Sequence, residues 1–195
     1  DVTLRMADGS RTFTSEELST ILETLVNLQR YTESVQTQGG SFGDLLTHRE
    51  QHGEFPEFLV KIRCGNEEEI CYFHDVEALT AFSDENRDLF IFGMPSEEEL
   101  LANPVPDREG PSRRSITHEL HEAKAITRTL VRLAELGIPS NMLVSLDKPL
   151  FELVEGEGEK ERITPLFSVM DILETVIGIG KRGVEITRFK GLGEM

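Results

Sequence analysis

The stretch "TSEELSTILETLVNLQRYTESVQTQGG", residues 14–40, constrains this chain more than any other. Thr14 with Glu17 three positions on forms a capping box, in which each residue's side chain satisfies the other's backbone N–H. Leu18, Ile21, Leu25, Leu28 and Val35 then recur at helical spacing, and Gly39-Gly40 ends the pattern. A helix of some twenty residues with one apolar stripe must lay that stripe against other elements. What it packs on is set by the rest of the chain.

Much of the remainder has strand periodicity broken by turn residues. "DVTLRM" and "RTFT" flank Asp8-Gly9, a hairpin signal, and "EFLVKIR" and "EICYF" alternate around Gly65-Asn66. "SFGDLLTHREQHG" is expected as a shorter helix stopped by Gly53 and Pro56. Asp75 can cap a helix running to Arg87, and "LFIF" is expected as a short buried strand. In "KPLFELVEGEGEKERITPLF", Phe151 to Val154 should pair back through a Gly/Glu turn. "SVMDILETVIGIGKRG" has Ser168 and Asp171 as its start box and a core stripe of Val169, Ile172, Leu173, Val176 and Ile177. Lys181 and Arg182 fall in its last turn, Gly183 is the expected stop, and "VEITRF" the strand after it. Helices and antiparallel hairpins in this order predict an α+β fold of two small lobes.

Charge helps to place the lobes. The 195 residues carry 20 Lys/Arg and 36 Asp/Glu, a net −16. Residues 1–110 hold 8 and 23 of these, leaving 12 and 13 for residues 111–195. The acidic part should repel phosphate backbones, which only the second part could approach. "PSEEELLANPVPDREGPSRR", residues 95–114, holds four prolines and little apolar periodicity, and is expected as a linker. The division predicted is therefore residues 1–110, an acidic lobe, and 111–183, a second helix and hairpin lobe, before a terminal segment 184–195. No run nears the roughly 18 apolar residues of a membrane span. Cys64 and Cys71 could meet across a hairpin, but without an export signal reduced thiols are expected.

The second lobe opens on "SITHELHEAKAITRTLVRLAELG", read as one helix. Ile126, Leu130 and Leu133 form its apolar face with Ala123 alongside, while His121, Lys124, Arg128 and Arg132 fall together opposite. An ordinary solvated face accounts for such a stripe; docking to an acidic surface or a phosphate backbone is the functional alternative. His118 and His121, three apart, have no third ligand at a convincing spacing, so no metal site is expected in this sequence.

"VEITRFKGLGEM" closes the sequence with a basic end, since Lys181, Arg182, Arg188 and Lys190 outnumber Glu185 and Glu194. A lysine at a strand's carboxyl end, followed by Gly191 and Gly193, suits close backbone approach to an anionic ligand. A strand-to-helix turn with no function is the plainer alternative.

The run Arg188, Phe189, Lys190, Gly191, Leu192, Gly193, Glu194, Met195 closely resembles a signature of bacterial type IIA topoisomerase B subunits, those of DNA gyrase above all. There it follows an insertion in the Toprim domain. The resemblance extends over residues 115–195; residues 1–110 share only length and a hairpin-then-helix character. It implies that the chain is an insertion domain excised from a longer subunit, an origin suggested also by an Asp at position 1, with residues 184–195 supplying a returning Toprim strand. It further implies a parent that uses ATP and Mg²⁺ to pass one DNA duplex through another, in the cytoplasm and together with a gyrase A subunit. Arg188, Lys190, Gly191 and Gly193 would then lie beside the DNA and the active site. The family's Glu-Gly-Asp-Ser-Ala and Asp-x-Asp metal motifs, its ATPase motifs and its tyrosine nucleophile do not occur here. No catalytic residue, cofactor or metal is therefore expected within the chain itself. A topoisomerase IV B subunit is the alternative parent, and a stand-alone acidic module or DNA mimic is the alternative of a different class.

Overall fold

A computed structural model describes the backbone of residues 1–193 and the side chains of residues 1–183. The fold is α+β, with six α-helices and two three-stranded antiparallel sheets among the described residues. It divides into two compact units, one made of Asp1–Gln29 and Arg128–Met195, the other of Arg30–Thr127. The expected division near Gly110 is thus corrected: the first unit is assembled from both ends of the chain. Charge follows the units. Arg30–Thr127 holds 9 Lys/Arg and 20 Asp/Glu, leaving 11 and 16 for the other.

In the first unit, β1 (Val2–Met6) pairs with β5 (Phe151–Glu155), which pairs in turn with β6 (Arg162–Leu166). The register sets Leu4 against Leu153 and Met6 against Phe151. The Asp8-Gly9 turn forms as expected, with the Ser10 N–H donating to Asp8 Oδ1 at 2.9 Å and the Met6 N–H to the Arg11 carbonyl at 2.8 Å. Its return arm lies along the other edge of β1 as an isolated bridge, Arg5 to Thr12, with the Phe13 N–H donating to the Leu4 carbonyl at 2.9 Å. Helix α1 (Ser15–Thr37) starts at the predicted capping box: Thr14 N–H donates to Glu17 Oε2 at 2.8 Å, and Glu17 N–H to Thr14 Oγ1 at 3.1 Å. Leu18, Ile21, Leu25 and Leu28 are buried, as are Phe13, Phe151, Leu153 and Leu166. Arg11 ties this corner together, bonding Glu17 and the Leu136 carbonyl while its guanidinium lies 4.6 Å from the centre of the Phe13 ring.

Helix α6 (Val169–Gly193) also begins as predicted, with the Ser168 N–H donating to Asp171 Oδ2 at 3.0 Å and Val169, Ile172 and Leu173 buried. Val176 and Ile177 are not fully buried, so the core stripe ends earlier than expected. The expected stop at Gly183 and strand at 184–189 are not found, because the helix runs on to Gly193. Gly183 continues the helical backbone instead of entering the left-handed region that a glycine stop needs. Once started, a helix gains one hydrogen bond for each residue it adds, whereas a strand needs a neighbour to pair with.

In the second unit, β2 (Phe58–Cys64) is the central strand, flanked by β3 (Glu67–Phe73) and β4 (Arg113–Glu119). The β2–β3 hairpin turns at Gly65, whose φ of +63° suits glycine. Its register sets Cys64 against Glu67 and Cys71 against Val60, and both cysteines are free thiols. Burial, and then Glu69, push the Cys71 thiol up to about 11, so it stays protonated. The segment read as the start of a long helix is β4. The helix after it, α5, spans only Glu122–Glu135. "LFIF" does not join the sheet, in which β2 is flanked by β3 and β4. Arg87–Leu89 makes a 3₁₀ turn and Phe90 adopts a left-handed backbone with φ of 49°. Leu89 and Ile91 still reach the core of Val60, Ile62 and Leu79, while Phe92 is exposed. Arg113 of β4 holds this turn with two bonds to the Asp88 carboxylate, at 2.6 and 2.9 Å, and one to Asn86 at 3.0 Å.

Asp75 caps α3 (Val76–Glu85) as predicted, although the helix ends two residues before Arg87. The stretch expected as a linker contains α4 (Glu97–Ala102), started by a capping box between Ser96 and Glu99. Among the described residues no helix is long and apolar enough to cross a membrane.

Two stability predictions follow from the second unit. A Cβ on Gly40 would lie 2.7 Å from Val35 Cγ1, 2.9 Å from Leu59 Cδ1 and 3.0 Å from the Tyr72 hydroxyl. Gly40→Ala should therefore cost about 1–3 kcal/mol in chemical denaturation, as overpacking does. The Arg113 guanidinium holds the Asp88 carboxyl below its ordinary range, and the side chains are only 16% and 24% exposed, respectively. Stability from a lowered carboxyl is present above its unfolded pKa, near 3.9, and is lost as pH falls through the folded value. Asp88→Asn should cost about 1–2 kcal/mol at neutral pH, and its difference from wild type should shrink in melts taken at progressively lower pH below the unfolded carboxyl's value.

Candidate functional site

Three places bear on function: the carboxyl-terminal segment, the basic stripe and a cluster of histidines. Arg188, Lys190, Gly191 and Gly193 lie on the helical backbone of α6, not at a strand end. Their side-chain positions fall outside the described residues, as do residues 194 and 195 altogether. The geometric argument for Lys190, a charge at a strand's carboxyl edge, therefore does not hold in this fold.

Three of the four stripe residues lie on α5. Ile126, Leu130 and Leu133 are buried; Lys124, Arg128 and Arg132 are exposed. His121 precedes the helix with its side chain 77% exposed, and its Nδ1 lies 3.6 Å from a Glu119 carboxylate oxygen. His118 sits on β4 opposite Leu59, so it and His121 do not share a helical face. The reason for pairing them as neighbours one turn apart was the assumed helix, which starts only at Glu122.

The histidine cluster was not foreseen. Helix α2 (Phe42–His52) carries His48 and His52, one turn apart and so on one face. Both of its ends are fixed. Ser41 Oγ accepts from the Asp44 N–H, and Gly53, at φ +83°, donates its N–H to the Arg49 carbonyl at 2.7 Å. Tyr72 of β3 pins the start of the helix to the sheet: its hydroxyl accepts from the Ser41 N–H at 3.1 Å and donates to Asp44 Oδ2 at 3.2 Å. His74 follows two residues after Tyr72, and the same anchoring brings its ring to the α2 histidines.

The ring centres of His48 and His52 are 4.2 Å apart, those of His52 and His74 5.1 Å and nearly parallel, and those of His48 and His74 6.4 Å. One ring nitrogen from each lies within 4.8 Å of the other two. His48 is only 8% exposed, and its Nε2 is buried without a hydrogen-bond partner; His52 and His74 are exposed. Burial lowers the His48 pKa, and the neighbouring His52 and His74 lower it further, so the neutral imidazole is favoured. His74 has its own orienting group. Its Nε2 lies 3.2 Å from Asp75 Oδ2, while Asp75 Oδ1 caps α3 by accepting from the Ala78 N–H at 2.7 Å. Three neighbouring imidazoles offer nitrogen ligands. Sequence held half of the signal, since "HREQH" sets two histidines four apart; the third is 22 residues further on and meets them only through the fold.

No family model matches this chain, and no curated protein or solved structure matches it either.

An unpaired buried polar atom costs about 1–3 kcal/mol relative to an apolar one of similar shape. His48→Leu should therefore hold or raise the melting temperature of the metal-free protein. A drop of several degrees would mean that His48 makes a stabilising bond, by way of water, that the side-chain geometry alone does not reveal.

Proposed function

We propose that this chain is the insertion domain of a bacterial type IIA topoisomerase B subunit, with DNA gyrase the preferred parent and topoisomerase IV the alternative. The observation that carries this reading is the run of residues 188–195, in which an aromatic precedes Lys-Gly-Leu-Gly-Glu-Met. In this role the domain is a buttress or spacer in a cytoplasmic enzyme. It braces the Toprim domain, contacts the A subunit, and steers duplex DNA by where its negative charge lies. The chemistry belongs to the parent, whose other domains would hold ATP and Mg²⁺. A Mg²⁺ centre calls for convergent oxygen ligands.

The acidity of Arg30–Thr127 favours a second reading, a stand-alone module whose carboxylates imitate phosphates. Two measurements separate the readings. Added to purified gyrase A subunit and labelled duplex, an insertion domain should bind the A subunit and bind DNA only weakly at physiological salt. A mimic should instead displace the duplex from the A subunit. Tight, salt-sensitive DNA binding by the isolated chain would sink both. In the intact B subunit, Lys190→Ala removes one charge-assisted phosphate contact, worth about 1.5–3 kcal/mol when desolvated. Supercoiling should then fall roughly ten- to a hundredfold, with basal ATP hydrolysis little changed. Undiminished supercoiling would leave the glycine-rich motif with a structural role only.

A further inference from the structure

We infer that His48, His52 and His74 form a binding site for one divalent transition-metal ion of the zinc class, held by three imidazole nitrogens with the remaining position open to solvent. The inference does not depend on the topoisomerase reading and stands on the geometry of α2 and the end of β3.

Distance comes first. Zinc-to-nitrogen bonds of about 2.0–2.1 Å at tetrahedral angles set ligand nitrogens about 3.3 Å apart. The nitrogens here lie within 4.8 Å of one another, so the longest separation closes by at most about 1.5 Å. His52 and His74 are exposed and can supply that by side-chain rotation alone. The backbone need not move, because Ser41, Tyr72 and the Gly53 cap already fix α2 at both ends and against β3.

Chemistry decides the class of ion. Three imidazoles suit zinc, copper, nickel or cobalt; magnesium and calcium prefer oxygen and would gain little here. Zinc is the member of this class that needs no redox chemistry from the site. A histidine ligand commonly has its second nitrogen held by a carboxylate, which fixes the ring and strengthens the bond. Asp75 stands in that relation to His74: it engages Nε2 and leaves Nδ1 free to ligate. The carboxylate is itself immobilised by capping α3. His48 contributes a buried nitrogen with no protein partner, and an ion would satisfy it. The free thiols belong elsewhere, Cys71 opposite Val60 within the sheet and Cys64 at the far end of the hairpin.

Ligand arithmetic also gives the site an open face. With three protein ligands, a tetrahedral ion keeps one position for water or for a donor from a partner. The exposed rings of His52 and His74 put that position on the surface of the second unit.

The test is calorimetric titration of the metal-free chain with zinc at neutral pH, followed by thermal melting with and without the ion. One-to-one saturable binding, with a rise in melting temperature of several degrees, is expected. His52→Ala and His74→Ala replace exposed side chains, so both variants should fold, with circular dichroism as the check. Each should weaken zinc at least tenfold. Asp75→Asn, which keeps a cap for α3, should weaken it less than either, and His118→Ala should leave it unchanged. Magnesium should produce no saturable heat. The inference is overturned if zinc fails to bind one-to-one, or if it binds the His52→Ala and His74→Ala proteins as well as wild type.

Discussion

The pairing of β1 with β5 is the constraint from which the organisation of this molecule follows. Leu4 lies against Leu153 and Arg5 bonds Glu152 at 2.7 Å, across 147 residues of chain. A strand so near the start, once paired so far along, makes its unit discontinuous and leaves the intervening chain to fold as a unit of its own. The equilibrium cost of such a closure is modest, since loop entropy grows only with the logarithm of length, at about 0.6 kcal/mol per doubling. Its kinetic cost is larger, because non-local strand pairs form slowly. Arg30–Thr127 contains its own sheet and core, so it can acquire structure before the ends meet.

Both boundaries between the units fall inside helices, α1 and α5, and this is why composition could not locate them. The prolines of residues 104–111 mark a surface connection that leaves and re-enters a single unit, with β4 returning to pair with β2. What sequence did disclose was local. Capping boxes at Thr14 and Ser168, the cap at Asp75, the Gly65-Asn66 hairpin and the β5–β6 pair each depend on a few neighbouring side chains, and each is found. The failures share one cause. "RRSITHE" and "LFIF" both have apolar or β-branched residues that could serve a strand, and only the fold shows that the first pairs with β2. At the carboxyl end, the β-branched "VEIT" would suit a strand if a partner lay beside it; here the helix begun at Val169 carries through.

The histidine cluster was hidden for the same reason, since two of its members are local and the third is not. Its distinction from the other unsatisfied groups of the molecule is one of company. Gln38 Oε1, Thr117 Oγ1 and Glu122 Oε2 are also buried without partners, but Glu122 accepts from Ser34 through its other oxygen. None of these three belongs to a convergent group of metal-ligating residues among the described residues. Among these unsatisfied groups of the described residues, His48 is the one whose ring sits beside two further imidazoles. An unpaired buried ring nitrogen costs as much as an unpaired hydroxyl, but at His48 one ligand could satisfy it together with two neighbouring imidazoles. The carboxylate beside His74, that of Asp75, is also committed to capping α3. A bound divalent cation would satisfy the buried nitrogen and join the three rings through one shared ion. It would also fasten the end of α2 to the start of α3, two helices that the sequence connects only through the β2–β3 hairpin.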